Sequence, residues 1–149
     1  MFPDPSVRWR AYPSIMDGIK APPFVLDRGM WRGRLNLIVL EPAAFGTRAY
    51  GAQIACQIYG AFEEMIYSIA NYGVGDRGSA YRGDVYLKEA EHSNLLKAYR
   101  NADPMKRTPR HFLFVGSDFC YETVGFEEPV VCTFASREDA YAWLPGGDA

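Results

Sequence analysis

AYGAQIACQIYGAF, residues 49–62, is the stretch whose reading decides the fold. It is 14 residues long and holds no charged side chain. Tyr50, Ile54, Ile58 and Phe62 recur at every fourth position, and Met65/Ile66 and Ile69 continue the series. Recurrence at three and four residues marks a helix with one apolar face, so the spacing predicts a helix over 47–72. Ala49, Ala52, Ala55 and Cys56 keep the neighbouring face small, so the first two-thirds should be buried nearly all round. Gly51 and Gly60 weaken a helix but let another backbone approach it closely.

Upstream, Phe24 to Leu26, Asp27-Arg28-Gly29 and Met30 to Leu40 read as strand, turn, strand, rich in β-formers and ended by Glu41-Pro42. Residues 1–23 hold five of the ten prolines. Proline fixes φ and removes a donor, so this part is expected to be an arm over the domain, with Trp9 and Tyr12 as anchors. Downstream, residues 73–83 read as a loop. Asp84 caps a second helix through about Asn101, which Asp103-Pro104 breaks. His111 to Gly116, Phe119 to Val124 and Pro129 to Phe134 read as strands, and Ser136 caps a last helix, Arg137 to Leu144. Strands, two helices, strands and a helix, in that order, favour α+β. The expectation is one domain over 1–149: a mostly antiparallel sheet packed against two longer helices and a short C-terminal helix.

The formal net charge is −2, and a free nucleic-acid-binding domain is usually basic, so nucleic acid is not expected as a partner. The charge is uneven. Lys97, Arg100, Lys106, Arg107 and Arg110 are opposed only by Asp103, whereas seven acids from Asp118 onward face Arg137 alone. An acidic C-terminal part suits a basic protein partner. The uncharged run falls short of the roughly 20 apolar residues that cross a bilayer, and no leader opens the chain, so no membrane is expected. Three scattered cysteines (Cys56, Cys120, Cys132) do not make a disulfide framework, which points to a reducing, cytoplasmic setting.

Motifs with chemistry fall short of the geometry they require. Gly73-x-Gly75-x-x-Gly78 matches the dinucleotide fingerprint as a string, but a helix, not a strand, is expected to enter it. Glu89-x-x-His92 on a helix is one quarter of a carboxylate-bridged two-metal set, and the chain's two histidines cannot complete it. If a hairpin turns at Phe126, Cys120 and Cys132 lie opposite one another, near His111, as a thiol pair or part of a zinc site; inert thiols are the plainer reading. Ser117-Asp118 with His111 makes a Ser–His–Asp set only arithmetically, without a nucleophile elbow. Glu122 either faces the core with Cys120 and Val124, where it must be paired or line a cleft, or is exposed while Phe119, Tyr121 and Thr123 face inward. The balance leans to exposure. No metal or cofactor is expected.

The segment His111 to Gly125, about a tenth of the chain, resembles hairpins of small bacterial accessory and immunity-type proteins and carries no diagnostic motif. The missing catalytic sets, the ten tyrosines, the acidic C-terminal third and the proline-rich arm lead to the expectation of a non-enzymatic protein-binding module, accessory or inhibitory, of bacterial type. Tyrosine suits interfaces, being large, stiff and polar at its tip. The alternative is a small-molecule-binding domain or small enzyme. Its site would lie between the long helix and the sheet, built from His111, Tyr121 and Glu122 with Glu63 or Glu64. A third expectation is a homodimer through the uncharged helix.

Overall fold

Residues 49–62 are not a helix. In the computed structural model, which describes residues 7–63 and 85–143, they form two strands that belong to different sheets. The strands are β1 (Arg8–Ala11), β2 (Phe24–Trp31), β3 (Arg34–Leu40), β4 (Ala49–Ala55), β5 (Ile58–Glu63), β6 (Leu87–His92), β7 (Arg110–Phe114), β8 (Phe119–Gly125) and β9 (Val130–Phe134); the helices are α1 (Asn94–Ala102) and α2 (Arg137–Ala142). One sheet has the order β1-β6-β7-β8-β5 and the other β2-β3-β4-β9. Every pairing is antiparallel.

The expected α+β sheet on two longer helices is therefore replaced by two antiparallel sheets with two short helices. The cause lies in the period. A repeat of four is close to 3.6 but is also twice two, so Tyr50 and Ile54, or Ile58 and Phe62, share a strand face as readily as a helix face. β4 pairs with β3 on one side and β9 on the other, so both its edges and most of its side chains are buried. A central strand covered on both faces needs no charge and tolerates small residues, which is what Ala49, Gly51 and Ala52 supply. The uncharged run is thus hidden in the fold, and it offers no helix for a symmetric dimer.

The second expected helix is half strand. Leu87–His92 pairs with β1 and β7, and only Asn94–Ala102 is helical. Lys88, Glu89 and Ala90 favour helix in isolation, and tertiary partners override that preference. Glu89 accepts from Arg110 Nε at 2.7 Å and Nη2 at 2.9 Å, and from Arg10 at 3.2 Å, from the strands on either side. Ser93 ends the strand and caps α1, its oxygen accepting from the Leu96 amide at 3.0 Å. The last helix is present behind Ser136, with Ala140 buried.

The turn expected at Asp27-Arg28-Gly29 is a bulge inside β2, where Gly29 takes φ 90°. The reversal comes later, at Arg32-Gly33, whose φ values of 49° and 76° are those of a two-residue hairpin turn.

The two sheets stack face to face. Val25, Leu37, Val39 and Ile54 of one meet Leu87, Phe112, Phe114 and Tyr121 of the other in the main core. Both outer faces are covered too. Leu96 of α1 packs against Val7, Trp9, Ala90, Leu113, Val115 and Cys120. Ala140 of α2 packs against Ile38, Leu40 and Ala49. Part of the proline-rich arm is built in: β1 is an edge strand, and Met16 and Ile19 lie in the core. The chain crosses between sheets at Cys56-Gln57 and again after Gly125. There the two crossings touch so closely that a Cβ on Gly125 would lie 2.9 Å from the Cys56 Cα and press on the Ala55 carbonyl oxygen. Among the described residues, no helix is long and apolar enough to cross a membrane.

Candidate functional site

The outer face of the five-stranded sheet is apolar except at one place. Ladder partners share a face, and Lys88 pairs with Leu113, which pairs with Glu122, so these side chains form one row across β6, β7 and β8. His111 lies on the same face of β7, two residues from Leu113. All three ionisable groups are buried: Lys88 is 2% exposed, His111 0% and Glu122 1%. Burial pushes the Lys88 ammonium below its ordinary pKa.

His111 is held from three sides. Its Nε2 lies 2.7 Å from Glu122 Oε1, its Nδ1 lies 3.1 Å from Ser93 Oγ, and the Trp9 ring packs edge-on at 4.9 Å between centroids. The donors can be ordered. The Glu122 carboxylate can only accept, which in a neutral ring leaves Nδ1 to accept the Ser93 hydroxyl proton, Oγ itself accepting from the Leu96 amide. Nε2 then carries its hydrogen toward the Glu122 carboxylate. One relay runs from the α1 amide through Ser93 and His111 to Glu122. Ser93, 7% exposed, is among the residues that line a cleft of about 680 Å³ at the start of α1, with Glu91, His92, Leu96, Lys97 and Arg100.

Of the residues singled out in the sequence, His111 and Glu122 meet. Tyr121 does not join them. It points to the opposite face, into the core between the sheets, where burial and then the Asp27 charge raise its phenol pKa. Glu63 is exposed at the end of β5, opposite Phe119. Glu64 lies outside the described residues, as do the Gly73–Gly78 string and the ends of both long predicted helices nearest it. Among the described residues there is no site between a long helix and the sheet, because that part of the expected helix is β4 and β5. Tyr121 and Thr123 are buried on the inner face while Phe119 at the strand's start is 45% exposed, yet Glu122 is not exposed. The alternation was sound, but the second face is covered as well.

Ser93 was missed. Its signal was available: a serine between a β-capable segment and an apolar helix start is an N-cap. The single long helix drawn through it concealed that junction. The other motifs come apart. Glu89 and His92 sit three apart on a strand and so face opposite ways. Cys120 and Cys132 lie in different sheets, and Cys56, Cys120 and Cys132 form no disulfide. Ser117 is six residues from His111 beyond the far end of β7, roughly 20 Å at about 3.3 Å per residue. Among the described residues no three of His, Cys, Asp and Glu converge as a metal site.

A second polar cluster lies at one end of the sandwich. Arg110 bridges Glu89 and Glu128 and lies over Phe112 and Tyr12. Burial raises the Glu89 pKa, but hydrogen bonds from Arg110 and Arg10 outweigh it and hold the carboxyl below its ordinary range. Every charge here is matched, so the cluster serves as a clasp joining β1, β6 and β7.

Comparison with protein-family models, with curated proteins and with solved structures returns no match.

Proposed function

We propose that the chain is a protein-binding accessory or inhibitory module of the immunity type, which takes an extended segment of its partner along β9. One observation carries this reading. Among the described residues β9 ends the four-stranded sheet and pairs with β4 alone, in regular register. Its sequence, VVCTF, has no charge and no proline, and Val130 is 60% exposed. Sheet edges are normally protected by charges, prolines, bulges or short length. The other three edges follow that rule: β1 carries Arg8 and Arg10, β2 is bulged beside Asp27 and Arg28, and β5 ends in Glu63. An unprotected edge supports strand addition, in which backbone bonds give affinity and alternate side chains give specificity.

Charge favours a basic partner over a second copy. Glu127 and Glu128 are exposed before β9, and Glu138 and Asp139 after it. Two copies joined antiparallel through β9 would set the first pair against the second, acid on acid. A segment with Lys or Arg at both ends meets no such repulsion. The exposed Tyr141 adds contact area near this edge. The absence of disulfides among the three thiols suits a reducing, cytoplasmic-type compartment.

Fluorescence anisotropy with alternating Val/Thr peptides tests this. Basic-flanked peptides are expected to bind, acid-flanked ones not, and Val130→Lys, which protects the edge, should weaken binding at least tenfold with an unchanged melting temperature. Equal binding of both peptides, or none, or no effect of Val130→Lys, overturns the reading.

A further inference from the structure

We infer that Ser93 is a nucleophile for acyl transfer, with His111 as its general base and Glu122 as the positioning residue, acting on small esters or thioesters of anionic acids that enter the cleft at the start of α1. This goes beyond partner binding and uses the opposite sheet. Three observations carry it. The first is geometry. A triad is recognised by distances and roles rather than by sequence order, and here the hydroxyl lies 3.1 Å from one imidazole nitrogen while the carboxylate lies 2.7 Å from the other. The second is the pattern of burial. All three are buried, His111 at 0%, Glu122 at 1% and Ser93 at 7% exposed, and Ser93 is the one of them that lines the cleft. The seal keeps water from the base and holds the imidazole in one orientation. The third is the junction. Ser93 stands between β6 and the first turn of α1, and first-turn amides have no partner inside their own helix. The Leu96 amide is bound to Oγ, and this first turn of α1 stands beside the cleft, where an oxyanion would form.

A cap alone does not account for this arrangement. Capping needs one side-chain oxygen and no base behind it, and a buried ionisable pair costs more desolvation energy than apolar residues of the same volume. The cleft walls narrow the substrate. Leu96 offers apolar contact, and the exposed Lys97 and Arg100 lie four and seven residues along from Ser93 on the same helix face, where they suit a negative charge on the acyl group.

The step balances within these groups. Oγ attacks the carbonyl carbon, the new C–O bond forms as the carbonyl π pair moves to oxygen, and the hydroxyl proton passes to His111 Nδ1. The imidazolium is stabilised by Glu122. Collapse breaks the bond to the alkoxide or thiolate, which leaves with that proton. Water, deprotonated by Nδ1 in the same way, then attacks the acyl-serine, releases the acid and restores Ser93.

The test is labelling of the full chain by an alkyl fluorophosphonate, read by intact mass and peptide mapping. One adduct on Ser93 is expected. Ser93→Asp keeps a capping oxygen without a nucleophile, so it should fold, as circular dichroism would show, and take up no adduct. Glu122→Gln keeps the shape but not the charge; it should slow labelling at least tenfold and shift its pH profile. Absence of any adduct on the folded parent overturns the proposal, as does an adduct that persists in Ser93→Asp. Labelling of Glu122→Gln at the parent rate with the parent pH profile overturns the role of the relay. Val130→Lys should label normally, so failure here and failure of the β9 reading are told apart.

Discussion

Breaking the His111–Glu122 pair should be among the most destabilising single changes available in this chain. Glu122→Leu removes the partner at 2.7 Å from an imidazole that is 0% exposed, and the water that would replace it cannot enter without opening the outer face. Removing one member of a buried pair costs about 3–5 kcal/mol, because the group left behind stays desolvated. In a chain of this size each kcal/mol is worth roughly 2–4 °C, so the midpoint should fall by about 6–20 °C. His111→Leu should cost a similar amount, leaving the Glu122 carboxylate without its imidazole. The double variant should not cost the sum. Two leucines can pack with Leu113, Val124 and Cys120, which lie on the same face, and exchange of a buried pair for apolar residues is often neutral or stabilising. Urea titration followed by tryptophan fluorescence suits the measurement, since Trp9 packs on His111. The reasoning is refuted if either single change costs under about 1 kcal/mol, or if the two costs simply add in the double variant.

Acid should act first through the clasp. Glu89 has a folded pKa below its unfolded value of roughly 4.3, so the stability it contributes is complete above that value and is lost as pH falls through the folded pKa. Urea midpoints at pH 7 and pH 3 should therefore differ less in Glu89→Gln than in the parent, and an equal or larger difference would count against the clasp. Lys88 gives the opposite limb: its pKa is lowered by burial, so stability should rise as pH climbs from that folded value toward roughly 10.4, and Lys88→Met should flatten this rise in thermal melts. Gly125→Ala should cost about 1–3 kcal/mol, since the new methyl meets backbone at the sheet crossing; a melt within 1 °C of the parent would show that the crossing gives way. Cys132 is exposed and should react with a maleimide at once, while Cys56 and Cys120 wait for unfolding, Cys56 the more so because burial raises its thiol pKa. A Cys120–Cys132 disulfide on mild oxidation would contradict their placement in separate sheets.

How far the fold is legible depends on which physical cue a residue obeys. The β2–β3 hairpin, β7 and β8 and the helix behind Ser136 follow local signals: alternation, β-branched runs and a serine cap. Residues 49–62 follow a tertiary one. Their repeat of four fits two periodicities, and length favoured the helix; only a neighbour on each side of β4 decides otherwise. Leu87–His92 fails for the complementary reason. Its helix-forming residues are held extended by arginines on β1 and β7, and nothing within six residues announces that. In the site, His111 and Glu122 were legible as unusual residues on apolar strands. Their meeting was not, because it depends on β7 and β8 pairing in a register that sets His111 opposite Val124, beside Glu122.

The same three bonds would serve a structural strut and a catalytic relay, so stability alone does not separate them. A strut requires only that Ser93, His111 and Glu122 satisfy one another. A relay also requires that Oγ reach a substrate and that the imidazole accept a proton. Replacing His111 and Glu122 together by leucine keeps the packing and abolishes proton transfer. If the pair is only a strut, that double variant should behave like the parent in every assay. If it is a relay, the double variant should stay folded and lose its reaction with a fluorophosphonate. Ionisable groups on a covered apolar sheet face work against stability, and sites where function overrides packing are where such conflicts arise. Lys88, His111 and Glu122 share one short stretch of an otherwise apolar face, and that concentration, beside the only serine joining a strand to α1, is why the relay is the stronger reading.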